Sequence, residues 1–351
     1  MQALILAGGK GTRLRPLTLY TPKPVVPLMN RPFLSYQIAI LADGGITDVT
    51  LSLNYQPNKI EEVIGDGREQ GVSIRYVTEP APMGTAGAFR YAADPEAGTT
   101  VVLNGDILTD IDISTVLELH RSNNAQATIV LARVADPSRY GLVETDRDGN
   151  VLRFLEKPSA DEIRDLDLDT INAGIYVLEP SVLQLIPEGK NSSFEYDVFP
   201  AILEKGMKFS AYILDGAYWR DIGNPQSYLE AHLDILDGKV RGLPQAPAPA
   251  DADIATAAVV DTRSVIGEGC VIKPGARVTN SILGPGVHID EKAHVTDAVI
   301  WAYSRIGAGA SITRGVLGRG CHIGRNALLG PGTVLGDKAS IPDYSRLGDI
   351  S

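Results

Sequence analysis

The sequence predicts an α/β domain followed by a prism of short parallel strands. Residues 1 to about 240 alternate strand-like and helix-like segments, as α/β architectures do. Near Gly242 the composition shifts to Pro and Ala without periodicity, which is typical of a semi-rigid linker. Beyond it, aliphatic residues recur every six positions. We therefore expect one domain at 1–240, a linker at 241–253 and a second domain at 254–351.

Six strands and two helices are legible in the first domain. Between the first two strands, a helical pattern begins at Pro32 and ends at Gly44, because proline suits the first turn of a helix and glycine its end. A second helix is expected from Pro57 towards Gly65. The predicted strands are Ala3–Ala7, Val49–Leu53, Val72–Val77, Thr100–Leu103, Ala127–Val134 and Ile171–Leu178.

The second domain repeats every 17 residues, in steps of 6, 6 and 5. Small residues follow many of these aliphatic positions, as in Gly267-Glu-Gly269. Each coil of this kind buries its apolar column only against its neighbours, which predicts a triangular prism. The successive sets are Ile266, Ile272 and Val278; Leu283, Ile289 and Val295; Ile300, Ile306 and Ile312; Leu317, Ile323 and Leu329; and the next register begins at Leu335.

Composition excludes several classes of protein. The 351 residues are 44% hydrophobic and 21% charged, which is ordinary for a soluble globular protein. A formal net charge of −11 argues against non-specific nucleic-acid binding, which needs a basic surface. The first apolar run is too short for a signal peptide, and no stretch approaches a membrane span. Cys270 and Cys321 show no metal-type spacing, so we expect a cytoplasmic protein with reduced thiols.

A glycine-rich stretch follows the first strand directly, Gly8-Gly9-Lys10-Gly11-Thr12-Arg13-Leu14-Arg15-Pro16-Leu17. Glycines let backbone N–H groups approach a phosphate chain, because no Cβ blocks them. Arg13 and Lys23 add positive charge beside the loop, where a triphosphate needs neutralising. The stretch matches neither the Walker pattern nor the dinucleotide fingerprint.

The stretch instead resembles the signature loop of sugar-1-phosphate nucleotidyltransferases, G-G-x-G-T-R-L-x-P-L-T followed by K-P. The whole chain resembles their mannose-1-phosphate guanylyltransferase branch with a hexapeptide-repeat tail. This implies a Rossmann-like nucleotidyltransferase domain with a mixed sheet and a left-handed parallel β-helix. It also implies the substrates GTP and mannose 1-phosphate and the products GDP-mannose and pyrophosphate. The supporting runs are Leu17–Pro24, Asn104–Asp106, Asp136–Gly141, Phe194–Pro200 and Tyr218–Gly223.

Asp106 ends a buried strand in the run Val101-Val-Leu-Asn-Gly-Asp106. Carboxylates just past the carboxyl end of a sheet strand are well placed to hold Mg²⁺ against substrate phosphates. The resemblance makes Asp106 the principal metal ligand, and Asp221 in the W-x-D-x-G motif the second. We expect Arg13, Lys23 and Asp106 to be catalytic and Mg²⁺ to be the cofactor.

The resemblance also assigns the nucleotide and the sugar phosphate. Glu79 stands where pyrimidine-specific members typically carry Gln; a carboxylate only accepts hydrogen bonds, and guanine offers two adjacent donors. Glu79 is therefore expected to recognise guanine. The nucleotide-binding set is Leu6, Ala7, Gly8, Gly9, Gly11, Thr12, Arg13, Glu79, Gly84, Thr85 and Ala86. The sugar-phosphate set is Gly141, Glu156, Lys157, Asn172 and Gly174.

Other functions remain open at this point. The nucleotide could be dTTP, UTP or ATP and the sugar glucose 1-phosphate. The repeat could belong to an acyltransferase, with His288 and His322 two coils apart and Arg305 between them. A non-catalytic regulatory subunit is disfavoured because every expected catalytic residue is present. We expect a homo-oligomer, dimer or tetramer, without nucleic-acid or membrane partners, in which the tail joins subunits and the chemistry does not need it.

Overall fold

A computed structural model of the chain describes residues 1–134, 136–156, 169–243 and 249–349. It divides into two compact units. The first comprises Met1–Gly9 and Leu34–Trp219, and the second comprises Lys10–Phe33 and Arg220–Ser351. The glycine-rich loop is thus split after Gly9, and its cationic part groups with the repeat rather than with the sheet. The predicted domains are continuous in sequence and meet near residue 240. The compact units are not continuous, because Lys10–Phe33 belongs to the same unit as Arg220–Ser351.

The first unit is built on a nine-stranded mixed sheet. The strands are β1 Gln2–Leu6, β2 Asp48–Leu53, β3 Ser73–Thr78, β4 Thr100–Asn104, β5 Ala127–Arg133, β6 Gly141–Thr145, β7 Val151–Glu156, β8 Thr170–Leu178 and β9 Phe209–Ile213. Their spatial order is β7-β6-β8-β4-β1-β2-β3, with β5 pairing with β8 and β9 with β5. Strands β1 to β4 run parallel to one another, and β8 is antiparallel to β4, β5 and β6. The predicted mixed sheet is confirmed.

All six predicted strands are present, and β6, β7 and β9 are additional. Strand β7 escaped prediction because most of its side chains stay partly or fully exposed, which weakens the hydrophobic alternation. The helices of this unit are α1 Leu34–Asp43, α2 Pro57–Ile64, α3 Gly84–Ala92, α4 Ile113–Ser122, α5 Pro180–Leu183 and α6 Phe199–Glu204, with a π-helix at Phe194–Val198. Short elements are Arg68–Gln70, Pro95–Ala97, Ile107–Thr109 and Pro137–Arg139.

The helix expected at Pro32 begins two residues later, at Leu34. Pro32 instead lies in the short strand Arg31–Pro32, opposite Pro27 in Pro27–Leu28. Proline suits the first turn of a helix, but it also suits an edge strand that needs no donor there. None of the described helices has the length and apolar character that crossing a membrane requires.

The second unit contains a parallel β-helix with three faces. The first face is formed by Asp253–Ile254, Val271–Ile272, His288–Ile289, Arg305–Ile306, His322–Ile323 and Ser340–Ile341. The second is formed by Val259–Val260, Arg277–Thr279, His294–Thr296, Ser311–Thr313, Leu328–Leu329 and Arg346–Leu347. The third is formed by Val265–Ile266, Ile282–Leu283, Val299–Ile300, Val316–Leu317 and Val334–Leu335.

The predicted aliphatic columns lie inside this prism. Leu283 stacks on Ile300, and Ile300 on Leu317, in parallel register. The column residues from Ile266 to Leu329 are buried in a single apolar cluster. The triangular prism is confirmed. The other described elements of this unit are α7 Pro225–Leu236 and the short helices Thr12–Leu14 and Lys23–Val25; Trp219–Asp221 is a short strand that spans the boundary.

Candidate active site

The carboxyl ends of the parallel strands bring the first group of expected residues together. Gly8 follows β1, and a Cβ added there would lie 2.8 Å from Glu79 Oε1, so a larger residue would displace the Glu79 carboxylate. Leu6 and Ala7 take part in the sheet through their backbone: Ala7 N donates to Ser52 O at 2.9 Å, and Leu6 O accepts from Gly105 N at 2.9 Å. Gly9 has open space around its α-carbon.

Glu79 is buried, and its carboxylate is held by the protein on both oxygens. Ser52 Oγ donates to Oε1 at 3.0 Å, and the Met83 amide donates to Oε2 at 3.3 Å. Because an ionised carboxylate offers about four lone-pair sites, each oxygen keeps one for a further donor. The arrangement orients the carboxylate and leaves it able to accept from a ligand.

Asp106 lies on a turn that is clamped at both ends by one buried side chain. Gln37 Nε2, on α1, donates to Asn104 O at 2.8 Å and to Ile107 O at 2.9 Å. A Cβ on Gly105 would lie 2.7 Å from Leu6 O, so the turn needs glycine to pack against the end of β1. Gln37 is a positioning residue that the sequence did not reveal, since an isolated glutamine on a helix has no motif.

A bulge in β8 places the expected sugar residues beside this turn. The register of β8 against β5 shifts between Asn172 and Tyr176. Gly174 has φ 73°, and a Cβ there would lie 2.7 Å from Asn104 Nδ2. Asn172 Oδ1 accepts from Gly174 N at 2.9 Å, and Asn172 Nδ2 donates to the Tyr176 hydroxyl at 2.9 Å. Asn104, Asn172 and Gly174 therefore form one cluster.

Tyr176 and Trp219 support the bulge from within the first unit. Tyr176 is fully buried; burial raises the pKa of its phenol well above the ordinary value, and the charge of Glu195 adds to the rise. The phenol thus stays neutral and keeps its hydroxyl hydrogen. Trp219 Nε1 donates to Ala173 O at 2.9 Å, which fixes the backbone between Asn172 and Gly174.

Gly141 and Glu156 face each other across β6 and β7. A Cβ on Gly141 would lie 2.6 Å from Glu156 Oε2, so the glycine makes room for the carboxylate. The ring of Tyr140 meets that of Trp219 edge-on, with centroids 5.7 Å apart. Lys157, the other expected sugar-phosphate residue here, lies outside the described residues.

Gly84, Thr85 and Ala86 pack against the segment before the π-helix. A Cβ on Gly84 would lie 2.4 Å from Ser192 O, and that same oxygen accepts from the Ala86 amide at 3.0 Å. The Thr85 hydroxyl accepts from Phe194 N at 2.9 Å. These contacts are structural, and nucleotide binding by the three residues stays a prediction.

In the second unit, the expected cations lie in the segment Lys10–Phe33. Gly11 has φ 61°, and a Cβ there would lie 2.9 Å from Lys23 Cβ. Thr18 Oγ1 donates to Gly11 O at 2.7 Å, which closes the loop between these two residues. Lys23 is largely buried, whereas Thr12 and Arg13 are exposed on the short helix beside it.

Arg13 and Asp221 meet at Gly223. A Cβ on Gly223 would lie 2.7 Å from Asp221 Oδ2 and 3.4 Å from Arg13 Nη1. A larger residue at position 223, the last of the W-x-D-x-G motif, would therefore displace the Asp221 carboxylate. Among the described residues, no group of three or more His, Cys, Asp or Glu side chains could hold a metal ion alone. A metal with only one or two protein carboxylates, completed by phosphates and water, fits these residues.

The predicted histidine column on the first face of the prism is confirmed. His288 pairs with Arg305, and Arg305 with His322, in parallel register. Arg305 Nε donates to Asp290 Oδ2 at 3.0 Å, so the cation between the histidines is already paired. Among the residues that the structure describes, none makes a hydrogen bond to the His288 or His322 side chain that would orient it as a base.

Comparison with known proteins gives consistent results. Residues 2–238 match the nucleotidyl transferase family, and residues 248–347 match the left-handed β-helix domain described for EIF2B subunit epsilon. A mannose-1-phosphate guanylyltransferase of Mycobacterium tuberculosis is 40% identical over 296 residues, covering 80% of this chain and 79% of that protein.

Two eukaryotic relatives are similarly close. A probable mannose-1-phosphate guanylyltransferase 1 of Oryza sativa subsp. japonica is 40% identical over 283 residues, with 78% and 75% of the two chains covered. A mannose-1-phosphate guanylyltransferase catalytic subunit beta of Drosophila pseudoobscura pseudoobscura is 39% identical over 280 residues, with 77% and 72% covered. The chain therefore belongs to the nucleotidyl transferase family, in its mannose-1-phosphate guanylyltransferase branch with a left-handed β-helix.

Proposed function

We propose that the protein joins GTP and mannose 1-phosphate into GDP-mannose and pyrophosphate. The observation that supports this most is the cluster of Asn104, Asn172 and Gly174 next to the Asp106 turn, in a chain whose relatives are mannose-1-phosphate guanylyltransferases. It joins a carboxylate suited to a metal–phosphate complex with amides suited to sugar hydroxyls.

An oxygen of the sugar phosphate attacks the α-phosphorus of GTP in line with the leaving group. One P–O bond forms to mannose 1-phosphate, the bond from the α-phosphorus to the bridging oxygen breaks, and pyrophosphate leaves with the electron pair. The phosphate already carries negative charge, so the protein need not supply a nucleophile. Catalysis then consists of positioning and electrostatic stabilisation.

Different residues would bind the sugar, the guanine base and the triphosphate. Asn172 and Glu156 would bind sugar hydroxyls, and Gly141 and Gly174 let the ring approach the backbone. Glu79 would accept from the two guanine donors with the lone pairs that Ser52 and Met83 leave available. In the second unit, Arg13 and Lys23 would neutralise the triphosphate as charge develops on it.

Asp106 in the first unit and Asp221 in the second are the residues that would supply carboxylate oxygens to a divalent ion. These hard oxygen donors fit Mg²⁺, which usually binds one or two carboxylates and keeps phosphates and water as its other ligands. When bound, the ion would offset negative charge on the phosphates.

A homo-oligomer, dimer or tetramer, is also proposed, with the β-helix as the joining surface. Ile254 and Val259 on the first coil are exposed apolar residues that could be covered by a second copy. Sedimentation of the purified chain with and without Val259→Asp tests this: a smaller species for the variant supports the proposal, and two identical monomers reject it.

The activity is tested with a panel of four nucleotides, GTP, ATP, UTP and dTTP, each with mannose 1-phosphate and glucose 1-phosphate. Pyrophosphate release with Mg²⁺ should be fastest for GTP with mannose 1-phosphate. A faster reaction with any other pair would overturn the proposed substrates, and no release with any pair would overturn the reaction. Repeating the best pair with EDTA tests the metal.

A further inference from the structure

Trp301 interrupts the repeat at one corner of the β-helix. Trp301 directly follows a strand of the third face. The other four strands of that face are each followed by glycine: Gly267, Gly284, Gly318 and Gly336. Trp301 does not belong to the apolar cluster inside the prism, yet its side chain is only 2% exposed. A large side chain has therefore replaced a small one at a point where something other than the prism covers it.

Helix α7 covers Trp301. The indole Nε1 donates to the hydroxyl of Tyr228 at 2.9 Å, and the two rings meet nearly edge-on with centroids 6.3 Å apart. The guanidinium carbon of Arg319, in the next coil, lies 5.8 Å from the centroid of the indole ring. Trp301 thus connects two coils of the β-helix to a fully buried tyrosine of α7.

Tyr228 also makes a hydrogen bond to the segment Lys10–Phe33, which contains Arg13 and Lys23. Its hydroxyl donates to the carbonyl oxygen of Pro27, so its single hydrogen and an acceptor site are both used. Pro27 follows the short helix Lys23–Val25, whose last turn is closed by the Val26 amide on Lys23 O at 3.2 Å. The hydrogen bonds therefore run from Trp301 through Tyr228 to the backbone that follows Lys23.

The same segment is attached to the β-helix at two further points. Asn30 Nδ2 donates to Leu283 O, in the coil before Trp301, at 2.9 Å. A Cβ on Gly336, two coils beyond Trp301 at the same corner, would lie 3.1 Å from Pro16 Cβ. Of these three attachments, the Trp301 connection ends nearest to Lys23 in the sequence, at Pro27.

We propose that Trp301 is a positioning residue for nucleotidyl transfer, which holds the Pro27 carbonyl through Tyr228 and thereby fixes the turn that carries Lys23. This inference rests on the role of Lys23 in the proposed function. It gives the β-helix a part in the chemistry, in contrast to the expectation that the chemistry does not need the tail.

Trp301→Phe tests the inference at its first hydrogen bond, because phenylalanine keeps an aromatic ring and removes the N–H. We expect kcat per folded molecule to fall about five- to tenfold, as for the loss of one buried hydrogen bond, with the KM for mannose 1-phosphate unchanged. An unchanged kcat overturns the inference, as does a rise in that KM with kcat preserved.

Ser281→Ala is the matched control. Ser281 Oγ donates to Thr279 O at 2.7 Å and accepts from the Ala298 amide at 3.1 Å, so both partners lie within the β-helix. The variant should lower the unfolding temperature without lowering kcat. If it lowers kcat as much as Trp301→Phe does, the effect is general destabilisation and the inference is overturned.

Lys23→Met separates this inference from the proposed function. Should kcat survive Lys23→Met unchanged, the proposed role of Lys23 is wrong, and the inference falls with it. If kcat drops, Trp301→Phe is added in that background. We expect no further loss, because a turn that no longer carries the ammonium has nothing to position. Full additivity of the two changes overturns the inference while leaving the role of Lys23 intact.

Amide hydrogen exchange provides a readout that does not depend on activity. In Trp301→Phe, exchange should become faster in residues 23–28 and stay unchanged in the coils of the β-helix. Tyr228→Phe should produce the same pattern, and combining the two variants should add little, because both remove one connection. Unchanged exchange in residues 23–28 of both folded variants overturns the inference.

Discussion

The two compact units position their functional side chains by different means. In the first unit, Glu79, Asp106 and Asn172 stand at strand ends or in a bulge, where register between distant strands sets their places. In the second, Arg13 and Lys23 lie in a segment with only two short helices and a two-residue hairpin, which is attached to α7 and the prism at separate points.

The difference concerns chemistry as well as architecture. In the first unit, the Glu79 carboxylate and the Asn172 amide suit recognition of guanine and sugar hydroxyls. The second unit contributes the cations that suit a triphosphate, together with the Asp221 carboxylate. Changes in the sheet should therefore alter which substrate is used, and changes in the β-helix should alter rate. Asp106 is the exception in the first unit, since its proposed role is in the reaction itself.

Asp106→Asn should have the largest effect. It keeps the side-chain shape and removes the charge proposed to bind Mg²⁺, so kcat should fall by roughly 10²–10³. The unfolding temperature should barely change, which thermal denaturation checks. Activity within a few-fold of the unchanged protein would remove Asp106 from the metal site.

Glu79→Gln should change nucleotide choice. It replaces one acceptor by an N–H that faces a donor edge, so use of GTP should fall roughly ten- to a hundredfold while dTTP and UTP are relatively spared. Steady-state rates with each nucleotide measure this. Ser52→Ala is the control for the orientation of the carboxylate, because it removes only the donor to Oε1. Equal losses for all nucleotides in Glu79→Gln would make the residue structural.

Gln37→Leu should cost about tenfold in kcat, because the Asp106 turn loses both hydrogen bonds from Gln37 Nε2. Gln2→Leu is the matched control: Gln2 is also buried and donates to Asp94 O and Thr100 Oγ1, but at the opposite end of β1. Both variants should lose about 2 kcal/mol of unfolding free energy, and only Gln37→Leu should lose activity. Equal kcat in the two would contradict the positioning role.

His232 should make the second unit sensitive to acid. It is fully buried beside Tyr228, and burial lowers its pKa to about 4 from an ordinary value of 6.5. Below pH 6.5 the unfolded chain takes up a proton that the folded chain refuses, so stability falls as the pH drops towards 4. Between pH 7.5 and 5 this amounts to about 2 kcal/mol.

His232→Phe should remove that part of the pH dependence, and denaturant unfolding of both proteins at the two pH values measures the difference. If the pH dependence of unfolding is the same in both, His232 does not titrate as described.

His322→Ala should have the smallest effect. The histidine is exposed on the first face of the prism, and no described residue makes a hydrogen bond to its side chain that would orient it as a base. Rates with GTP and mannose 1-phosphate should stay unchanged, as they should for His288→Ala. Loss of an acyl-CoA-dependent activity in the variant would revive the acyltransferase alternative.

The positions of six strands and of the aliphatic columns could be predicted from the sequence. The 17-residue spacing of Ile266, Leu283 and Ile300 predicts the prism, because each coil repeats the environment of the coil before it. Residues 17 apart therefore stack on one another. The glycine-rich loop and the Asn104–Asp106 run predict a phosphate-binding site. Both signals are local, because backbone freedom and a carboxylate at a strand end are properties of short segments.

Only the tertiary structure decided how these parts are held. The clamp of Gln37 on the Asp106 turn joins residues about 70 positions apart, and the connection of Trp301 to Pro27 spans the chain. Neither has a local pattern, because a hydrogen bond between distant residues places no periodic demand on the sequence around either partner. For the same physical reason, the sequence showed Arg13 and Lys23 as part of the first domain, and the packing grouped them with the β-helix.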